Sequence, residues 1–169
     1  MSLAKKSLWI DAEWYMHGRI FLIGYAYSEK QFGQLFGKKL TKLRFRQLLK
    51  KVKGFVFSYG PDVGMCEKFF NWKFRGKYRC VNLMKAFRDH VKSASFKLKD
   101  LEIKFRLRRK VDKYKQSIMH IWRDWKDPVK RYAVLTYNEE DVVNLVKLTK
   151  IIFKKHKIKA EYLNAIALK

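Results

Sequence analysis

Short apolar runs separated by glycines and polar turns fill the N-terminal part of the chain. The runs at 8–14, 19–27 and 31–36 are rich in aromatic and β-branched residues, which favour extended strands. Gly18 lies between the first two runs, where a tight turn is needed. The pattern therefore predicts an antiparallel hairpin followed by a third antiparallel strand.

The middle of the chain alternates helical and strand patterns. After a candidate N-cap at Thr41, apolar residues recur at helical spacing as far as Gly54. The unbroken apolar run at 55–59 predicts a buried parallel strand, because such strands are covered on both faces. A helix at 63–72 and a strand at 77–83 follow, and strand, helix and strand form a crossover unit.

The rest of the chain has mainly helical spacing. We predict short helices at 84–91 and 98–105, an aromatic-rich helix at 111–125, and helix through most of the C-terminal region. The predicted fold class is α/β, with antiparallel N-terminal strands and parallel strands in one mixed sheet flanked by α-helices. A length of 169 residues without linker or repeat predicts a single domain over 1–169.

Two carboxylates end the first predicted strand. Asp11 and Glu13 are two residues apart, so in a strand they project from the same face. Like charges held together repel, and a divalent metal bound through oxygen ligands is the usual compensation. The alternative is a strand end with two solvated acids.

Further candidate ligands follow in the chain. Asp62 comes directly after the central predicted strand, where it is either a ligand or an ordinary turn residue. Tyr137 and Asp141 are four residues apart, which places them on one helix face about one turn from each other.

Charge narrows the class of partner. Forty Lys and Arg against fifteen Asp and Glu give a formal net charge of +25, which predicts a polyanionic partner. Nucleic acid is the first candidate, and an anionic membrane surface or a ribosome-like structural role uses the same charge.

Aromatic residues beside the acidic pair, Trp14 and Tyr15, are candidates for stacking on unpaired bases. The basic block at 104–110 offers Arg106, Arg108 and Arg109 to phosphates.

The cellular compartment is inferred from the lack of a disulfide framework, a signal peptide and a membrane span in the sequence. Two cysteines form neither a disulfide framework nor a zinc pattern, and the first apolar run is interrupted by Asp11 and Glu13, so it does not read as a signal peptide. The longest apolar run, 20–27, is far shorter than the roughly 18 to 20 residues that span a bilayer. We therefore expect a soluble cytoplasmic protein that is not bound to a membrane.

Taken together, these motifs resemble the DEDD superfamily of 3′-to-5′ exonucleases, which have a ribonuclease-H-like fold. The resemblance covers most of the chain: the acidic pair and long hairpin at 8–27, Asp62, the segment Ser95-Phe96-Lys97-Leu98-Lys99-Asp100-Leu101, and Tyr137-Asn138-Glu139-Glu140-Asp141-Val142. The last motif is similar to that of the Tyr subclass. The resemblance implies hydrolysis of single-stranded DNA or RNA with two Mg²⁺ or Mn²⁺ ions and no small-molecule cofactor.

The resemblance also implies a role for each residue. Asp11 would bridge both ions, Glu13 and Asp141 would bind the first, and Asp62 would act mainly through water on the second. Tyr137 would orient the attacking water. Two ions in such a site activate the nucleophile and stabilise the leaving oxygen of an in-line displacement.

Two alternatives stay open at this point. The chain is also compatible with a nucleic-acid-binding protein that has lost catalysis on the same fold, and with a structure-specific endonuclease. It departs from the family pattern twice: Ser58-Tyr59-Gly60 occupies the place of an Asn that often precedes the second-motif Asp, and Asn82 replaces a common Asp. The sequence leaves the oligomeric state open.

Overall fold

Five strands form one sheet in the computed structural model, which describes residues 7–111, 114 and 118–168. The strands are β1 (Leu8–Trp14), β2 (Ile20–Ser28), β3 (Gln31–Phe36), β4 (Phe55–Ser58) and β5 (Arg79–Asn82). Their order across the sheet is β3-β2-β1-β4-β5. The first three pair antiparallel, and β4 and β5 run parallel to β1, which confirms the predicted mixed sheet.

Helices cover both faces of this sheet. They are α1 (Lys42–Lys50), α2 (Asp62–Phe70), α3 (Leu83–His90), α4 (Leu98–Lys104), α5 (Ile118–Lys126), α6 (Arg131–Lys155) and α7 (Ala160–Ala165), with a 3-10 turn at Gly37–Lys39. The Thr41 side chain accepts a hydrogen bond from the backbone N–H of Arg44, as the predicted N-cap should. The Tyr137 motif lies within α6, the longest of these helices.

Alternation along β1 decides which side chains face which layer. Leu8 and Ile10 point into an apolar cluster with α1 and α2, whereas Trp9 points to the opposite face and packs in the cluster that contains residues of α6. Its indole Nε1 donates to Thr149 Oγ1 on α6 at 3.0 Å. Because side chains of a strand alternate, the next residues on the α6 side are Asp11 and Glu13.

The structure describes α5 over Ile118–Lys126 of the helix predicted at 111–125, and Val111 is not helical. The backbone N–H groups of Lys110 and Val111 donate to the two carboxylate oxygens of Glu140, at 2.7 and 3.1 Å, so a long-range contact holds the chain there. Residues 112, 113 and 115–117 of the predicted helix lie outside the described residues.

Among the helices in the described ranges, none is both long and apolar enough to cross a bilayer.

Candidate active site

The predicted polar residues meet at the end of β1, the start of α2 and the first half of α6. Asp11 and Glu13 come from β1, Asp62 is the first residue of α2, and α6 carries Tyr137 and Asp141. All five line one cleft of about 470 Å³. Residues far apart in the sequence therefore form a single pocket.

Three carboxylates form the centre of this cleft. Asp11, Glu13 and Asp141 each offer one oxygen that lies within 4.8 Å of those offered by the other two. Glu13 and Asp141 are buried and Asp11 is half-buried. An all-oxygen donor set of this kind suits Mg²⁺ or Mn²⁺, whereas zinc prefers His and Cys. The residues present therefore fit a divalent metal.

Asp62 lies in the same cleft but outside this triad. It is 3% exposed, and its Oδ2 accepts a hydrogen bond from the backbone N–H of Tyr59 at 3.2 Å. Its negative charge is near enough to raise the pKa of both Asp11 and Glu13. Asp62 is thus part of the same electrostatic cluster.

Burial raises the pKa of every carboxyl in this cluster. The pKa rises to about 7 at Asp62 and to about 6 at Asp141, where the charge of Arg109 opposes the rise. At Asp11 and Glu13 burial and the neighbouring carboxylates, Asp141 first among them, raise the pKa well above the usual value. Near neutral pH the cluster therefore favours protons or a bound cation.

Tyr137 is tied to the carboxylates. Its hydroxyl is near enough to the Asp141 carboxylate to lower the pKa of that group, and burial raises the pKa of its own phenol far above the usual value, so the phenol keeps its proton. The Tyr114 ring packs edge-on against the Tyr137 ring, with centroids 5.3 Å apart. The packing of the ring therefore holds the hydroxyl at the cleft, beside Asp141.

Arg109 lies in a different setting from Arg106 and Arg108, the other two predicted phosphate-binding arginines. It lines the cleft, and its side chain is only 1% exposed. The guanidinium Nε and Nη2 donate to Glu102 Oε2 and Oε1 at 2.6 and 2.5 Å, and Nη2 also contacts Asp141 Oδ1. Two buried carboxylates thus hold Arg109 inside the cleft wall, while Arg106 and Arg108 are exposed.

The two aromatic residues predicted to stack on bases also lie in different places. Trp14 lines the cleft, and its backbone oxygen accepts a hydrogen bond from Trp122 Nε1 at 2.9 Å. Tyr15 packs beside the cleft, with its ring centroid 4.7 Å from that of Phe21. Tyr15, Arg106 and Arg108 are not among the described residues that line the cleft.

Asn138 supports Asp11, a role that sequence reasoning missed. Its Nδ2 donates to Asp11 Oδ2 at 2.7 Å, and its Oδ1 accepts from Gln34 Nε2 at 3.1 Å. Gly24 pairs opposite Asp11, and a Cβ there would lie 2.4 Å from Asn138 Oδ1. A glycine in a strand next to an acidic position was the available signal, because it marks a close approach by another group.

The two departures from the family pattern have structural consequences. Asn82 caps α3, since its Oδ1 accepts from the backbone N–H of Met84 at 3.0 Å, and it also accepts from the N–H of Gly60 at 3.1 Å. Ser58 Oγ is buried and has no hydrogen-bond partner among the described residues. Asn82 thus shapes the turn between β4 and Asp62.

Comparisons with known proteins place this site in a family. No curated protein matches the chain. A family model of the RNase_H superfamily matches residues 8–153, a range that runs from the start of β1 nearly to the end of α6 and includes all four carboxylates of the cleft. Proteins of this superfamily act on nucleic acids, and its nucleases generally use divalent metals. With the mixed sheet described above, this match shows that the chain belongs to the RNase_H superfamily.

Proposed function

We propose that the protein is a metal-dependent exonuclease that hydrolyses single-stranded DNA or RNA from 3′ to 5′. The observation that carries the proposal is the group of three carboxylate oxygens within 4.8 Å of one another, with Asp62 beside them, in a chain of the RNase_H superfamily. The Tyr137-Asp141 pair on α6 supports the Tyr subclass of DEDD exonucleases.

The carboxylates would hold two ions, Mg²⁺ or Mn²⁺. Asp11, Glu13 and Asp141 would hold the first, and Asp11 and Asp62 the second. Bound ions in such a site supply water activation and stabilisation of the leaving oxygen. Asp11 would be the bridging ligand, since one of its oxygens lies within 4.8 Å of those of Glu13 and Asp141 and the charge of Asp62 raises its pKa.

The side chains of the chain itself provide orientation. Tyr137 keeps its proton and lies beside Asp141, so its hydroxyl can position a water molecule in the cleft but cannot act as a strong base. Trp14 lines the cleft and is the candidate to stack on a terminal base. Lys97 and Lys99 line the same cleft and place positive charge near the path of the phosphates.

End-labelled oligonucleotides test the proposal directly. With Mg²⁺ or Mn²⁺ and a 5′ label, we expect a ladder of progressively shorter labelled products, and with a 3′ label the release of labelled mononucleotide at once. Chelator should stop both. Parallel DNA and RNA strands identify the preferred sugar.

Two outcomes would replace the proposal. Cleavage of a circular single strand, which has no end, would make the protein an endonuclease. Tight binding of linear strands without cleavage under either metal would make it a binding protein on a nuclease fold.

The exposed arginines give a binding test that needs no turnover. Arg106 and Arg108 are exposed just after α4, whereas Arg109 is buried. Reversing both exposed charges to Glu should flatten the log–log salt dependence of strand binding by about two units, because each lost phosphate contact removes nearly one. An unchanged slope would remove these two residues from the interface.

A further inference from the structure

Arg109 is a buried cation in contact with one of the proposed metal ligands. Its guanidinium forms two hydrogen bonds with Glu102 on α4 and contacts Asp141 on α6. Both side chains of the Arg109–Glu102 pair are 1% exposed. Moving such charges out of water is costly, so this arrangement is retained only when the partners are close and well oriented.

Glu102 is itself held by a second contact. Asn144 Nδ2 donates to Glu102 Oε1 at 3.0 Å, and Asn144 lies one helical turn beyond Asp141 on α6. Glu102 and Asp141 thus approach the guanidinium from two different helices. Arg109 cannot turn away from Asp141 without leaving Glu102.

The remaining side of the guanidinium faces no acceptor. Arg109 Nη1 is buried and has no hydrogen-bond partner among the described residues. The Arg109 Cζ lies 5.0 Å from the centroid of the Tyr137 ring, a cation–π distance. One side chain therefore contacts both Asp141 and Tyr137, the two residues that define the α6 motif.

Charge in the cleft explains why a cation belongs there. Asp11, Glu13, Asp62 and Asp141 bring four carboxyl groups into one cleft, and Glu102 adds a fifth behind Asp141. Arg109 neutralises Glu102 and contributes attraction to Asp141. Each carboxylate has two oxygens, so a guanidinium on one oxygen of Asp141 leaves the other for a metal.

We propose that Arg109 is a positioning residue that acts as the resident cation of the metal site: it orients Asp141 and, by its charge, weakens the binding of divalent ions. Glu102 has the opposite effect, because it neutralises Arg109. The inference rests on the proposed function only in that the carboxylates must be a metal site. It requires neither exonuclease polarity nor a particular strand.

Metal affinity measured by calorimetry with Mn²⁺ tests the two charges separately. Arg109→Met should tighten Mn²⁺ binding by about fivefold or more, because a positive charge a few ångströms away is removed. Glu102→Gln should weaken it by a similar factor, since it leaves Arg109 without its partner. A purely structural ion pair would move both variants in the same direction.

Thermal unfolding provides the second readout and a matched control. Arg109→Met should lower the Tm in chelator and recover most of the loss in Mn²⁺, because the divalent ion replaces the missing charge. Glu67 and Arg75 form another close Glu–Arg pair, with Arg75 Nη2 2.6 Å from Glu67 Oε2. Arg75→Met should lower the Tm equally in chelator and in Mn²⁺, and leave Mn²⁺ affinity unchanged.

Arg109→Lys separates charge from geometry. It should restore near wild-type Mn²⁺ affinity, because the charge remains. On any substrate that the wild type cleaves it should still lower kcat, because an ammonium cannot bind Glu102 and Asp141 as a planar fork does.

The outcomes of these experiments are distinct. Equal Tm losses for Arg109→Met in chelator and in Mn²⁺, or affinity changes of the same sign for Arg109→Met and Glu102→Gln, would overturn the role of Arg109 alone. If Glu102→Gln fails to fold, the sign of the change in Arg109→Met decides the question. If Arg109→Met fails to fold, a loss of Mn²⁺ affinity in Arg109→Lys would overturn the role of Arg109. Wild-type protein that binds no Mn²⁺ would overturn both this inference and the proposed function, whereas Mn²⁺ binding without hydrolysis would overturn only the latter.

Discussion

Two buried carboxylates on the same helix behave in opposite ways. Asp62 begins α2 at the cleft. Glu67 lies about one and a half turns later on the same helix and is not among the described residues that line the cleft. Burial raises the pKa of both, but at Glu67 the hydrogen bonds from Arg75 and from the Phe74 and Arg75 amides outweigh burial and lower it. At Asp62 the amide hydrogen bonds do not, and the pKa rises to about 7.

The pKa values of Glu67 and Asp62 shift in opposite directions because different groups surround the two carboxylates. Glu67 Oε1 accepts from the backbone N–H groups of Phe74 and Arg75 at 2.8 and 2.9 Å, and its Oε2 accepts from Arg75 Nε at 2.7 Å. Asp62 instead faces Asp141, a like charge. A buried carboxylate with matched donors stabilises the fold, whereas a cluster short of positive charge binds a cation.

The largest expected effect is on catalysis. Asp11→Asn should lower the rate of hydrolysis by about 10³-fold or more, since it removes a ligand whose charge stabilisation is worth several kcal/mol. Its Tm in chelator should stay equal to wild type or rise, because repulsion with Glu13 is relieved. Single-turnover rates and thermal unfolding on one preparation measure both. Glu67→Gln is the matched control and should leave the rate unchanged; wild-type turnover by Asp11→Asn would place the metal elsewhere.

The next largest effect is expected at Tyr137, where it distinguishes a hydroxyl that orients water from a ring that only packs. Tyr137→Phe keeps the ring that packs on Tyr114 but removes the hydroxyl beside Asp141. If the hydroxyl orients water, kcat should fall by roughly 10²-fold, with Mn²⁺ and strand binding nearly unchanged. A tyrosine that only packs would lose about 1 kcal/mol or less of stability and no turnover, and that result would end the Tyr-subclass assignment.

Substitution of Glu67 should lower stability without affecting catalysis, the reverse of the expectation for Asp11. Glu67→Gln leaves the Phe74 and Arg75 amides with a neutral acceptor and deprives the Arg75 side chain of its charged partner. We expect a loss of about 2 kcal/mol in the free energy of unfolding, or about 4–8 °C in Tm for a chain of this size. Denaturant unfolding with and without Mn²⁺ checks this, and the loss should be the same in both. A loss that Mn²⁺ reverses would contradict the contrast between the two clusters.

Local pattern was enough for most of the fold. The strands at the N-terminus, the buried strand before Asp62 and the long C-terminal helix follow from periodicities of two and 3.6, because alternation and helical spacing decide which face is buried. The acidic pair at Asp11 and Glu13 was predictable for the same reason. Asp141 needed only its helical distance from Tyr137.

Contacts between distant segments were not predictable in this way. In the segment 104–110, exposed Arg106 and Arg108 alternate with partly buried Phe105 and Leu107, so Arg109 falls on the inward side of the alternation. A cation at an inward position signals a buried ion pair, but nothing local identifies its partners. The contact of Asn138 on α6 with Asp11 likewise depends on the space left by Gly24, which lies on β2.

The last expected effect is on the pH dependence of stability without metal. Asp62 and Asp141 have pKa values of about 7 and 6 in the folded protein, against about 4 for an unfolded aspartate. Between these values the folded state binds more protons than the unfolded state, so the free energy of unfolding falls as pH rises. The stabilisation is fully present below about pH 4 and is lost above about pH 7. Glu67, whose pKa is lowered, contributes stability above its unfolded pKa and loses it as pH falls.

Thermal unfolding in chelator between about pH 5 and pH 8 measures this contribution, and we expect the Tm to fall steadily as the pH rises through this range. Asp62→Asn should flatten that fall because it removes the carboxyl whose pKa is about 7, whereas Glu67→Gln should leave it unchanged and alter only the acid side. Adding Mn²⁺ should raise the Tm more at the upper end of the range, since the ion competes with protons for the same oxygens. A Tm in chelator that rises over this range in the wild type would mean that the four carboxylates are as well compensated as Glu67, and the charge deficit on which the metal site depends would be absent.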